Sequence, residues 1–302
     1  MYRNRSRNHN YRNRNKKAID FLRIMNIKLG RFNNLEVIKP VNFGIYLDGG
    51  NDGEILLPKR YVPEGCKQGD FLNVFLYLDS EERLIATTQI PLVQVGEFAC
   101  LEVAWVNEYD AFLNWGLMKD LFVPFREQKV KMQIACNYVI HAHLDEESYR
   151  IVASAKVDRY LSKEVPPYPE GDEVDILIWQ KTDLGFKAII DNRFGGLLYE
   201  KEIFQPLQVG MKLKAYIGQV REDNKIDLSL QKKGIVNIHD FSETLLHYIK
   251  SNNGRIPFND KSQADNIYRT FGVSKKTFKK AIGDLYKKRL IILNDTEISL
   301  SK

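Results

Sequence analysis

The sequence predicts a mainly β protein that ends in a small α+β domain. A strand–turn–strand pattern recurs three times between residues 18 and 233. Downstream of each copy a charged turn divides two β-rich runs. After residue 235 the apolar spacing changes from every second residue to every third or fourth, the period of a helix.

The first copy reads FGIYLDGGNDGEILLPKRYVP (Phe43–Pro63), the second YDAFLNWGLMKDLFVPFREQ (Tyr109–Gln128) and the third LGFKAIIDNRFGGLLYEKEIF (Leu184–Phe204). Each has an alternating strand, a Gly-containing turn, a second apolar strand and a short polar segment. The charged turns that follow, at Asp79–Arg83, Asp145–Ser148 and Arg221–Lys225, are hairpin signals. One more strand precedes each copy, in IMNIKLGRFNNLEVIKP, FACLEVAWVNE and EVDILIWQKTD. Five strands in a unit of roughly 65 residues is the size and order of a small closed barrel, the OB-fold. Barrels are expected over residues 18–90, 91–160 and 171–233. A Pro-rich linker is expected over 161–170, where Pro166, Pro167 and Pro169 stop a helix and favour extended chain.

Residues 235–302 read as a winged helix-turn-helix. DFSETLLHYIKSNNG places Leu245, Leu246 and Ile249 on one helical face and ends on Gly254. RIPFND is a short strand or turn, and KSQADNIYRTFG is a second helix. Ser274 is a good N-cap for a third. IILNDTEISLS is a tight hairpin, the wing. On the third helix Phe278, Ala281, Ile282 and Leu285 form a core stripe. Lys276, Lys280, Gly283 and Lys287 lie opposite, with Lys279 on the flank. Gly283 costs about 1 kcal/mol relative to Ala and leaves room for a neighbouring backbone or domain. Arg, Asn and Gln, which most often read base edges bidentately, are missing from this face, so its lysines suit phosphate better than sequence.

The chain has 302 residues, 44% of them apolar, and a formal charge of +6, which excludes a wholly disordered chain. No apolar run reaches the ~18–20 residues that cross a bilayer. Residues 1–17 carry seven Lys or Arg, no acid and no apolar stretch to serve as a signal core. They are expected to be a disordered basic arm on a cytoplasmic protein. Residues 235–302 are also basic, and the middle is mildly acidic, so a polyanion meets the ends first. By repeat, the net charge is −2 over 18–90, −4 over 91–170 and zero over 171–233. Cys66, Cys100 and Cys136 are widely spaced, form no CxxC, and are expected to be buried and structural. His141 and His143 share a strand face but have no evident third metal ligand. No Walker-type loop, GxSxG or HExxH is present. The expectation is therefore no catalytic site, no metal and no cofactor.

The stretches FGIYLDGG, YDAFLNWG and REDNKIDLSL resemble degenerate S1-type RNA-binding domains, which close on Arg/Lys-Ile-x-Leu-Ser. The third repeat matches that closing part best, at Lys225, Ile226, Leu228 and Ser229. Three such domains followed by a winged helix are similar to the conserved virulence factor B family, also called the YitL family, over residues 18–302. The resemblance implies three tandem S1-type OB-fold barrels and a winged helix, with single-stranded RNA as the ligand. It further implies a post-transcriptional role in RNA stability or processing, with a ribonuclease or other RNA-processing protein as a partner.

Resemblance also supplies the candidate stacking pairs, two rings three residues apart on the second strand: Phe43 with Tyr46, and Tyr109 with Phe112. Strict alternation puts i and i+3 on opposite faces, so a bulge or coil at Gly44 or Asp110 would have to re-aim one ring. The third repeat has Leu184 and Lys187 at these positions, and Phe186, Arg193, Phe194 and Tyr199 are nearby alternatives. On charge, the third repeat with Lys276, Lys279, Lys280 and Lys287 is expected to form the main RNA surface. Two other readings stay open: a DNA-binding regulator of GntR-like type, and an adaptor that binds protein. Without a sensing domain or an evident dimer interface, a monomer is expected.

Overall fold

The computed structural model describes residues 27–200, 203, 206–230 and 238–301. The basic arm over 1–17 lies outside the described residues. The chain divides into two compact units, Met1–Tyr160 and Leu161–Lys302.

Three closed five-stranded barrels follow one another. The first contains β1 (Phe32–Val41), β2 (Gly44–Asp48), β3 (Glu54–Pro58), β4 (Phe71–Leu78) and β5 (Leu84–Thr87). The second contains β6 (Phe98–Val106), β7 (Ala111–Leu113), β8 (Leu121–Val123), β9 (Asn137–Leu144) and β10 (Ile151–Ser154). The third contains β11 (Glu173–Thr182), β12 (Gly185–Ile190), β13 (Phe194–Tyr199), β14 (Lys212–Val220) and β15 (Ile226–Ser229). Each barrel has the same ring order. The first three strands run antiparallel, the third pairs in parallel with the fifth, and the fourth closes on the first. The charged turns are the hairpins joining the fourth and fifth strands. Asp79, Asp145 and Arg221 donate their N–H groups to Arg83, Arg150 and Lys225 carbonyls, each at 2.9 Å.

Alternation explains what each barrel buries. Ile45, Leu47, Ile55 and Leu57 point inward in the first barrel, as do Ala111, Leu113, Leu121 and Val123 in the second. The first strand of every barrel carries one irregularity at the same place: between Val37 and Lys39, between Val103 and Trp105, and between Ile178 and Gln180. A one-residue slip there switches which face the next side chain takes.

The first two barrels share a core. Phe75 and Tyr77 of β4 pack in the same buried cluster as the interior of the second barrel. Phe75 meets Trp115 edge-on at 5.7 Å, and Val95 donates its N–H to the Gly30 carbonyl at 2.9 Å.

The C-terminal domain contains α1 (Ile238–Ser251), β16 (Arg255–Ile256), α2 (Ala264–Phe271), α3 (Lys275–Lys287), β17 (Ile291–Leu293) and β18 (Ile298–Leu300). Its strands form a sheet in the order β16-β18-β17, and β17 and β18 are the wing hairpin. Ser274 caps α3 by accepting from the Thr277 N–H at 3.1 Å. Phe278, Ala281, Ile282 and Leu285 are the buried face of that helix, as their spacing requires. Gly272 ends α2 in the left-handed conformation. Gly283 differs from expectation: a Cβ there would meet nothing within 4 Å, so no close neighbour explains it. The cysteines are a second departure: Cys136 is exposed in the turn that leads into β9, and Cys66 and Cys100 are only half-buried.

Candidate nucleic-acid interface

Pairing registers place the second strands of the three barrels in correspondence. Tyr46 faces Lys39, Phe112 faces Trp105, and Lys187 faces Gln180. All three pairs sit just past the slip in the first strand, on the outside of the barrel. The next strand completes each group with Leu56, Phe122 and Leu197 respectively.

In the first barrel Phe43 and Tyr46 do come together. Their centroids are 6.3 Å apart with the rings edge-on at 87°, and Phe43 is 57% exposed. The expected bulge at Gly44 is not what aims them. Phe43 lies in the turn before β2, and Tyr46 faces outward from the strand itself. Gly44 is needed because a Cβ there would lie 2.2 Å from the Leu57 carbonyl oxygen. Lys39 Nζ sits 5.1 Å from the Tyr46 centroid and 2.7 Å from Glu54 Oε1.

In the second barrel the expected pair separates. Tyr109 meets Phe125 edge-on at 6.5 Å. Phe112 instead stacks on Trp105, with centroids at 3.6 Å and an interplanar angle of 5°, and leans on Phe122 at 5.3 Å. The Trp105 indole N–H donates to Asp120 Oδ2 at 2.9 Å, which fixes the ring's orientation. Sequence reading missed Trp105 and Phe122. Leu101 and Val103 are buried, so plain alternation sends Trp105 inward; the slip after Val103 turns it outward, 44% exposed.

In the third barrel two candidates are withdrawn as stacking rings. Phe186, at 6% exposure, occupies the inward position that Ile45 holds in the first barrel, since Phe186 pairs with Leu198 as Ile45 pairs with Leu57. Phe194, at 3%, is buried in the same core and meets Tyr168 edge-on at 5.6 Å. Leu184 is exposed. Lys187 Nζ lies 5.1 Å from the Trp179 centroid. Arg193 is paired with Glu164. The half-buried Tyr199 belongs to a polar group: its hydroxyl donates to Asp227 Oδ1 at 3.3 Å and accepts from Arg221. Arg221 also donates to both Asp227 oxygens, at 2.8 and 3.2 Å, and the Asp227 hydrogen bond raises the guanidinium above its ordinary pKa.

On α3, Lys276, Lys279, Lys280 and Lys287 are all exposed. Lys279 lies 4.0 Å from Asp260, and Lys288 is paired with Asp284 at 2.8 Å. Among the described residues no group of three or more His, Cys, Asp or Glu is placed to hold a metal, and no helix is long and apolar enough to cross a membrane.

Family models match the first barrel and the C-terminal domain. Residues 29–89 match the S1 domain family, and residues 243–300 match the CvfB-like winged helix domain. YitL of Bacillus subtilis is 27% identical over 277 residues, covering 84% of this chain and 87% of YitL. Conserved virulence factor B of Staphylococcus haemolyticus is 22% identical over 284 residues, covering 91% and 95% of the two chains. A crystal structure of a Streptococcus pneumoniae protein, described as multidomain with nucleic acid binding domains, is 24% identical. It aligns over 90% of this chain and 98% of its own, with a TM-score of 0.41.

Proposed function

We propose that this chain, homologous along most of its length to conserved virulence factor B and YitL, binds single-stranded RNA with low sequence specificity. Its S1 and winged helix domains are of a nucleic-acid-binding type. One observation carries the step to single strands: the outer face of two barrels holds aromatic rings in fixed orientation, Phe43 beside Tyr46 and Trp105 flat on Phe112. Rings presented this way offer stacking surfaces to the faces of unpaired bases. The exposed lysines of α3, with the third barrel, supply phosphate contacts that position the chain without reading sequence.

On this reading the protein is a non-enzymatic, monomeric cytoplasmic factor. It acts post-transcriptionally by holding RNA for a ribonuclease or another processing protein. The test is affinity for single-stranded RNA and for duplex DNA of matched length, measured across a salt series. RNA preference that depends little on sequence supports the proposal. Preference for a defined duplex site favours a DNA-binding regulator, and binding to neither favours a protein adaptor.

A further inference from the structure

Where the first two barrels meet lies a half-open cavity of ≈ 490 Å³. We propose that it is a pocket for one nucleobase, selective for bases that carry an exocyclic amino group. The inference rests on the RNA-binding reading above and gives that reading a specific site.

The wall is the outward ring group of the second barrel. Trp105, Phe112 and Phe122 line the cavity, and the floor includes the buried Trp115 and Tyr77. The volume lies in the lower half of the range of small-ligand pockets, roughly 300–1,000 Å³. Both barrels contribute, and their shared core fixes them to each other, so the walls are set before a ligand arrives. A flat ring held by its neighbour and by an indole hydrogen bond offers a base a stacking surface at little ordering cost.

The rim sets the selectivity. Asp120 and Glu82 line the cavity, and both carboxylates only accept hydrogen bonds. Asp120 accepts from the Trp105 indole at 2.9 Å, which occupies part of its acceptor capacity and leaves the remainder available. Adenine, cytosine and guanine bring amino hydrogens to such an edge. Uracil brings carbonyl oxygens in their place, and these meet the carboxylates as like partial charges. Lys119 and Arg150 also line the cavity and both pair with Glu82, at 3.4 and 2.8 Å, and with Asp120 the four charges sum to zero. Binding here therefore draws on stacking rather than on phosphate neutralisation, and its salt dependence is slight. That separates it from the lysine face of α3.

The full chain gives a direct readout. Of its three tryptophans, Trp115 and Trp179 are buried and Trp105 is exposed, so fluorescence quenching reports the pocket. The probes are the four nucleoside monophosphates and the tetraribonucleotides A4, C4 and U4. Quenching by A4 and C4 well ahead of U4 is expected, nearly unchanged between 50 and 300 mM salt. Mononucleotides that match the tetramers in affinity identify a free nucleotide as the ligand; tetramers that alone bind identify a base within RNA. By calorimetry Trp105→Ala lowers A4 affinity roughly tenfold or more, Trp105→Phe restores most of it, and Asp120→Asn narrows the gap between A4 and U4. Equal quenching by A4 and U4, or unchanged A4 affinity in a folded Trp105→Ala chain, overturns the pocket. If longer RNA still binds and loses affinity on Lys276→Ala with Lys280→Ala while Trp105 stays silent, the pocket falls and the proposed function stands. If no RNA binds, both fall.

Discussion

Acidification from pH 7.5 to 5.0 will destabilise the first unit through His141. This side chain is buried on β9, with the Tyr160 ring stacked on it at 4.1 Å and the Phe98 ring at 4.6 Å. Its Nδ1 and that of His143 are buried with no hydrogen-bond partner. Burial first, and the neighbouring His143 charge second, lower its pKa from 6.5 to about 4. His143, whose Nε2 lies 3.1 Å from the Tyr160 hydroxyl, is lowered too, mainly by burial and against the pull of Glu127 and Asp145. The unfolded chain thus takes up a proton near pH 6.5 that the folded chain refuses until about pH 4. The folded state is fully favoured above pH 6.5 and loses ground as pH falls toward 4. For His141 alone the linkage relation gives about 2 kcal/mol between pH 7.5 and 5.0, or about 1–2 kcal/mol after solvent screening. Urea unfolding of the full chain and of His141→Leu at both pH values measures it. The full chain should lose about 1–2 kcal/mol more than the variant. Equal losses, or an NMR titration placing His141 near 6.5, would refute the reasoning.

Gly283→Ala should stabilise the C-terminal domain by about 1 kcal/mol, since the helix gains propensity and the new methyl meets open space; thermal unfolding checks it. Gly44→Ala should cost about 1–3 kcal/mol, because its Cβ would sit 2.2 Å from the Leu57 carbonyl oxygen, and the melting temperature of the first unit reads the loss. Lys276→Ala with Lys280→Ala should reduce the slope of log affinity for single-stranded RNA against log salt by about 1.4, two phosphate contacts at ~0.7 each. Retention of the full slope would take these lysines out of the interface.

What the sequence made legible follows from short-range periodicity. The β-rich runs flanking charged turns, the helical stripe from Phe278 to Leu285 and the Ser274 cap are all local patterns, and all three appear in the fold. The ring faces were less legible because they depend on register. One slipped residue after Val103 reverses the outlook for Trp105, and nothing in the residues CLEVAWVNE announces the slip. Phe186 shows the opposite error. Its neighbour Lys187 corresponds to Tyr46, so a ring one position earlier falls inside the barrel. The joint cavity could not be read at all, since it needs the packing of two barrels that are separated in the chain by the segment from Thr88 to Glu97.

The slip in each first strand has a practical corollary. It detaches the outer pair from the interior, so Lys39–Tyr46, Trp105–Phe112 and Gln180–Lys187 are three fillings of one interchangeable socket. A socket of this kind can change its chemistry from cation-on-ring to ring-on-ring to amide-and-amine while Leu47, Leu113 and Ala188 go on filling the barrels beneath. Grafting Trp and Phe onto positions 180 and 187 would carry a ring-on-ring pair into the third barrel, and the tandem repeat becomes a rack on which outer surfaces are exchanged two side chains at a time.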